Sequence, residues 1–222
     1  MAANDRGHGS ETSGAQYAER LQRLQGAAWK RALDVQAPYR WNLRRLNLGR
    51  VLDIGCGIGR NLQHLDGNGV GVDHNAHSIA VARARGVTAY LPEDFRASPE
   101  AREGTFDSLL LAHVMEHLER DVAEDLVREY VPFLRTHGRL VLITPQEVGY
   151  RSDATHVRFV DAATLADHAA RLGFVVTRSY SFPFPRPVGK VFAYNEFVVV
   201  ARRADASPTT ERGLTRRRGR AA

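Results

Sequence analysis

From residue 50 to residue 201 the chain alternates short apolar runs with stretches of helical spacing. The runs at Arg50–Ile54, Gly69–Asp73, Val87–Leu91, Phe106–Ala112 and Arg139–Thr144 predict five strands. Between them, apolar residues recur every three or four positions over 76–85, 120–135 and 162–172, which predicts amphipathic helices. Gly86 and Gly173 follow two of these helices as C-terminal stops. Strands alternating with helices predict an α/β fold, a mainly parallel sheet with helices on both faces. The last two apolar runs, Phe174–Ser181 and Val191–Ala201, are joined by a proline-rich loop over 182–190 and have no helix between them. They predict an antiparallel hairpin that closes a seven-stranded sheet.

The flanks differ from this core. Residues 1–15 are polar and glycine-rich and read as disordered. Over 16–48, Tyr17, Leu21, Leu24, Ala28 and Trp29 are near helical spacing, Pro38 breaks the pattern, and Trp41–Leu48 predicts a second short helix. These helices either cover a ligand pocket or pack on the sheet edge. The core domain is expected over 49–202 and a disordered basic tail over 203–222.

Length and composition narrow the class. The 222 residues suit one α/β domain with tails. Cys56 is the only cysteine, so no internal disulfide can form, and a reducing compartment is expected. No apolar run has the length of a membrane span and no signal-peptide core opens the chain, so a cytoplasmic protein is expected. The net charge is +6, but residues 202–222 carry seven arginines against Asp205 and Glu211 and so account for +5 of it. The body is nearly neutral. Any nucleic-acid contact is therefore expected through the tail alone.

The chemistry begins at Val51-Leu52-Asp53-Ile54-Gly55-Cys56-Gly57-Ile58-Gly59. A strand breaks into a glycine loop that opens a helix, a corner where backbone N–H groups can approach a nucleotide closely. A dinucleotide fold wants G-x-G-x-x-G/A. Here the third glycine comes one residue early and Arg60 stands where that fold needs a small residue. Asp73 ends the second strand, where a carboxylate can accept hydrogen bonds from two ribose hydroxyls or cap the helix that follows.

The D-x-G-x-G-x-G form, with Asp73, the fourth strand and the closing hairpin following in order, resembles the class I S-adenosylmethionine (SAM) methyltransferases. The resemblance covers residues 48–201 and implies a Rossmann-like methyltransferase fold with SAM as cofactor. It also implies cofactor contacts from Asp53, Gly55, Cys56, Gly57 and Gly59 in the loop, and from Asp73 with its neighbour His74. Further contacts are implied from Asp94 and Phe95 after strand 3, the first on the adenine amino group and the second against the ring, and from Ala112 at the end of strand 4. Cys56 reads as a small loop residue, since no base is evident beside it.

Strand 4 runs into His113-Val114-Met115-Glu116-His117-Leu118. If this segment turns helical, His113, Glu116 and His117 share a face. The segment resembles the turn found in quinone-biosynthesis O-methyltransferases. After strand 5, Asp153-Ala154-Thr155-His156 leaves the same sheet edge, so His156 is expected to face His117. Two chemistries fit His113, Glu116, His117 and His156. A histidine can act as general base near neutral pH. Alternatively Glu116, His117 and His156 can hold a divalent metal, a partial likeness to small-RNA 2′-O-methyltransferases. Tyr150, Arg151, Arg158, the 182–186 loop and Tyr194-Asn195-Glu196 are candidates to shape an acceptor pocket. The leading expectation is methyl transfer to an oxygen or nitrogen of a small molecule. The alternatives are an RNA or protein methyltransferase and an NAD(P) oxidoreductase.

Overall fold

The computed structural model describes residue 34 and residues 36–204. Seven strands form one sheet: β1 (Val51–Ile54), β2 (Gly69–Val72), β3 (Ala89–Tyr90), β4 (Phe106–Ala112), β5 (Leu134–Pro145), β6 (Phe174–Phe182) and β7 (Glu196–Arg203). Their spatial order is β3-β2-β1-β4-β5-β7-β6. The first five strands are parallel, and β7 runs antiparallel between β5 and β6. This is the α/β sheet with a C-terminal hairpin that the strand pattern predicts.

Alternation along the strands explains why both faces are covered. Leu52, Ile54, Leu109, Leu111, Leu140 and Leu142 join one core cluster, and Val51, Leu110, Val141 and Ile143 join another. The first cluster packs against α5 (Arg120–Tyr130) through Ala123, Val127 and Tyr130, and against α7 (Ala162–Arg171) through Leu165 and Ala169. The second takes Leu43 from α1 (Ala37–Arg45) and then Leu46 and Leu48. Each fully buried leucine contributes roughly 1.5–3 kcal/mol. A third cluster, including Cys56, Leu62, Ile79 and Val87, brings α2 (Arg60–His64) and α3 (Ala76–Ala84) together at the β2–β3 end.

The prolines mark the differences from the sequence pattern. Pro38 stands in the first turn of α1, and Pro92 opens α4 (Pro92–Ala97), a segment that reads as a loop in sequence. A first-turn N–H has no partner within its own helix, so proline costs nothing there. Pro132 sits in a 3₁₀ turn that stops α5 at Tyr130, five residues before the expected end. β5 then starts at Leu134 and passes through Gly138 rather than starting after it. A short helix, α6 (Glu147–Arg151), follows β5. β7 begins at Glu196, five residues later than the expected start at Val191. The expected helix over 17–33, the segment 1–15 and the tail over 205–222 lie outside the described residues. Among the described residues no helix is long and apolar enough to cross a membrane.

Candidate active site

The β1–α2 loop is built from left-handed glycines. Gly55, Gly57 and Gly59 have φ of +73°, +52° and +76°. A Cβ on Gly55 would overlap Val114, and one on Gly59 would meet Val87 at 2.5 Å, so packing forbids side chains at both. Gly57 differs: no atom lies within 4 Å of the position its Cβ would take, so the loop is open there. Asp73 faces this opening. Its Oδ2 accepts the Gly57 N–H at 2.8 Å and its Oδ1 accepts the Asn75 N–H at 2.8 Å. A carboxylate has about four acceptor positions, so Asp73 keeps capacity for two hydroxyls. The helix cap falls to Asn75, which accepts the Ser78 N–H; Asp73 is not the cap of α3.

Asp53 lies beneath the loop with no exposed surface. Its Oδ1 meets Asn61 at 3.5 Å and its Oδ2 has no partner. Burial raises its pKa to about 7, against the hydrogen bond from Asn61. Buried polar atoms are nearly always satisfied, so an orphaned carboxylate oxygen under an open glycine loop marks a place for a polar or cationic ligand group. The sulfonium and ammonium of SAM fit that requirement, and its ribose fits Asp73. Cys56 is buried, and burial pushes its thiol pKa up, which removes it as a nucleophile.

The remaining expected cofactor contacts divide. His74 is almost wholly exposed, with Nδ1 3.7 Å from Asp73 Oδ1. Ala112 ends β4 beside Ile143 of β5. Asp94 is exposed near the start of α4, 4.0 Å from Arg83. Phe95 sits deeper than a ligand-facing residue is expected to: its ring has no exposed surface and packs among Tyr90, Phe106, Tyr130 and Phe133. The helical turn begun by Pro92 places it in the core.

Strands β4 and β5 deliver the second cluster to the same edge. His113 leaves β4 with φ of +60°, and the segment turns helical only over Met115–His117, as a 3₁₀ turn. The side chains converge nonetheless. His113 Nδ1 lies 3.3 Å from Glu116 Oε1, and His113 Nε2–H donates to Glu196 Oε1 at 2.9 Å. His156 Nε2 lies 4.0 Å from Glu116 Oε1, and the His117 and His156 rings meet edge to face at 4.7 Å. Ligand atoms of Glu116, His117 and His156 all lie within 4.8 Å of one another.

Glu116 has no exposed surface and neither of its oxygens receives a hydrogen bond. The His113 contact is an attraction between charges, not an aligned bond. His156 Nδ1–H donates to the Tyr150 carbonyl at 2.6 Å, and its ring stacks on Tyr150 at 5.3 Å. His117 Nδ1 lies 3.3 Å from the Thr155 carbonyl. Such contacts at one nitrogen fix the tautomer and leave Nε2 as the lone-pair donor, the usual support of a metal-ligating histidine. Burial depresses the His117 pKa, partly offset by Glu116. Burial also opposes charge on His113, but Glu116 and Glu196 override it and hold its pKa up to about 10.

Glu196, in sequence one of several candidates to shape the pocket, is the second carboxylate of the cluster. The signal is topological: β7 is antiparallel, so its first residue pairs with Pro145, the last residue of β5. Buried Gln146 donates to the Glu196 carbonyl at 2.9 Å, and Asn195 bridges Gln146 and Phe184. Arg158 reaches toward His168. Tyr150 supports His156, and Arg186 pairs with Glu147 over the Phe197 ring.

Residues 15–179 match the family described as a methyltransferase domain. The ubiquinone biosynthesis O-methyltransferase of Rhodopseudomonas palustris is 29% identical over 160 residues, which cover 61% of this chain and 62% of that protein. The protein of the same name from Bradyrhizobium diazoefficiens is 37% identical over 113 residues, 46% of this chain and 44% of that one. The chain thus spans about half to three-fifths of the curated relatives it matches. Among solved structures, a SAM-dependent methyltransferase from Archaeoglobus fulgidus aligns with TM-score 0.58 at 20% identity, covering 74% of this chain and 92% of that one. Magnesium protoporphyrin IX methyltransferase from Synechocystis with bound SAM aligns with TM-score 0.59 at 15% identity, covering 90% and 100%. At these identities the structural likeness establishes the fold.

Proposed function

The chain belongs to the methyltransferase-domain family, and on that premise we propose that it transfers the methyl group of SAM to an oxygen of a small-molecule acceptor, with a divalent cation held by Glu116, His117 and His156. The observation that carries the proposal is Glu116, a buried carboxylate whose oxygens receive no hydrogen bond while ligand atoms of His117 and His156 lie within 4.8 Å. The names of the curated relatives support oxygen as the nucleophile and a small molecule as the acceptor.

The residues divide the work. Asp73 and the open backbone at Gly57 hold the ribose side of the cofactor, and Asp53 offers its orphaned oxygen to the cationic end. Methyl transfer is an in-line displacement, so the acceptor oxygen must be aimed and deprotonated. A bound cation supplies the Lewis acidity that lowers the pKa of an acceptor hydroxyl. Two imidazoles and one carboxylate suit a transition metal better than magnesium. Glu196 keeps His113 charged beside Glu116, which fixes the carboxylate's position.

A second reading rests on His117. Its depressed pKa keeps it neutral at physiological pH, so it can accept the acceptor's proton without a metal. One experiment separates the two. The protein is incubated with methyl-labelled SAM and the small-molecule fraction of a cell extract, with and without a chelator, and products are read by mass spectrometry. Label in a small molecule that disappears on chelation and returns with Mn²⁺ supports the metal reading. Label that survives chelation supports His117 as base. No labelled small molecule overturns the acceptor class.

A further inference from the structure

The loop that carries His156 and the turn that carries Glu116 and His117 are separate in sequence, and a relay from half-buried Arg158 to buried His168 joins them. The Val157 N–H donates to the Glu116 carbonyl at 2.9 Å and the Arg158 N–H to the same oxygen at 3.3 Å. Arg158 Nε donates to the Leu118 carbonyl at 3.4 Å, one residue beyond His117. The guanidinium is braced from behind: Nη1 and Nη2 both donate to His168 Nε2 at 3.1 Å. His168 has no exposed surface, and its Nδ1–H donates to Glu124 Oε1 at 3.1 Å. The other Glu124 oxygen accepts from Arg128 at 3.0 Å.

We infer that Arg158 and His168 are positioning residues that set the distance between His156 and the Glu116–His117 turn. The chemistry of the relay allows one arrangement. Arginine has donors only, so the His168 nitrogen it meets must be the acceptor. The other nitrogen then carries the proton, and Glu124 takes it. A neutral imidazole between a carboxylate and a guanidinium is held in one tautomer and one ring orientation. α5, which carries Glu124, and α7, which carries His168, therefore act through Arg158 on both halves of the cluster. Outer partners of this kind typically change metal affinity 10- to 100-fold when removed.

The metal arm of the test rests on the proposed function, so it is paired with a readout that needs no metal. Wild type, His168→Leu and His168→Gln are compared in the full chain. Leucine removes the acceptor that braces Arg158, whereas glutamine can place a carbonyl oxygen near the position of Nε2. SAM affinity is measured by calorimetry, Mn²⁺ affinity by electron paramagnetic resonance, and the ring ¹⁵N shifts of His156 and His117 by NMR without metal. In His168→Leu, SAM affinity is expected within twofold of wild type, Mn²⁺ binding about tenfold weaker, and the His156 ring averaging between tautomers. His168→Gln is expected to restore both. The inference is overturned if His168→Leu leaves the ring shifts unchanged, or if it weakens SAM and Mn²⁺ binding by the same factor. If wild type binds no Mn²⁺, the metal reading fails and the ring shifts alone decide the positioning role.

Discussion

Val114 packs so closely on Gly55 that any Cβ at Gly55 would overlap its Cγ2. One contact thus joins the loop after β1 to the turn after β4, and the cofactor side and the Glu116 cluster share a wall. Gly55→Ala meets two costs, a left-handed backbone and this overlap. We expect a loss of roughly 2–4 kcal/mol, combining backbone strain and overpacking. Thermal unfolding checks this, and SAM affinity should fall with it because the loop must move.

Asp73 ties the glycine loop to the start of α3 by accepting the N–H groups of Gly57 and Asn75, and it is the residue proposed to hold the ribose. Asp73→Asn places an amide donor against one of these donors and removes the charge. Hydrogen bonds to a charged acceptor contribute about 1.5–3 kcal/mol, so SAM affinity should weaken roughly tenfold to a hundredfold. Calorimetric titration measures it; an unchanged Kd would contradict the role assigned to Asp73.

Asp53 makes the stability of the free protein depend on pH. Its pKa is raised to about 7 by burial, whereas an unfolded aspartate titrates near 3.8. A raised carboxyl pKa means the folded state prefers the protonated form. The stability tied to that preference is complete below about pH 4, is lost as pH rises, and is gone above about pH 7. Asp53→Asn removes the titration, so the Tm gap between variant and wild type should widen from pH 4 to pH 7 and then level off. The full gap is on the order of 4 kcal/mol at most. A gap independent of pH would contradict the assignment.

Phe95 separates packing from binding. Its ring lies among four other aromatic rings and has no exposed surface. Phe95→Leu should cost about 1–2 kcal/mol through lost volume. Differential scanning calorimetry would read this as a lower Tm, and SAM affinity should stay within about twofold. A large loss of SAM affinity without a loss of stability would return Phe95 to the adenine site.

Strands β1, β2 and β4 are legible in sequence because their apolar runs are short, bounded and β-rich. The closing hairpin is legible because no helix intervenes. The element ends were harder to read. Pro38 and Pro92 act as helix starters, a use that local pattern does not separate from helix breaking. The glycine loop and Asp73 announce themselves by spacing. His113, Glu116 and His117 are also visible, but their convergence depends on a left-handed His113 and a 3₁₀ turn, which spacing alone does not predict. Glu196 and His168 are the hard cases. Each reaches the site by tertiary placement, one by antiparallel pairing with β5 and the other through Arg158.

Glu116, His117 and His156 are the residues proposed to hold the cation that assists methyl transfer. Mn²⁺ titration of wild type and Glu116→Gln by electron paramagnetic resonance tests this assignment most directly, with calorimetric SAM binding as the control for folding. One Mn²⁺ site is expected in wild type and is expected to be lost in Glu116→Gln, while SAM binds both proteins alike. Equal Mn²⁺ binding by the two proteins, or none by wild type, would contradict it.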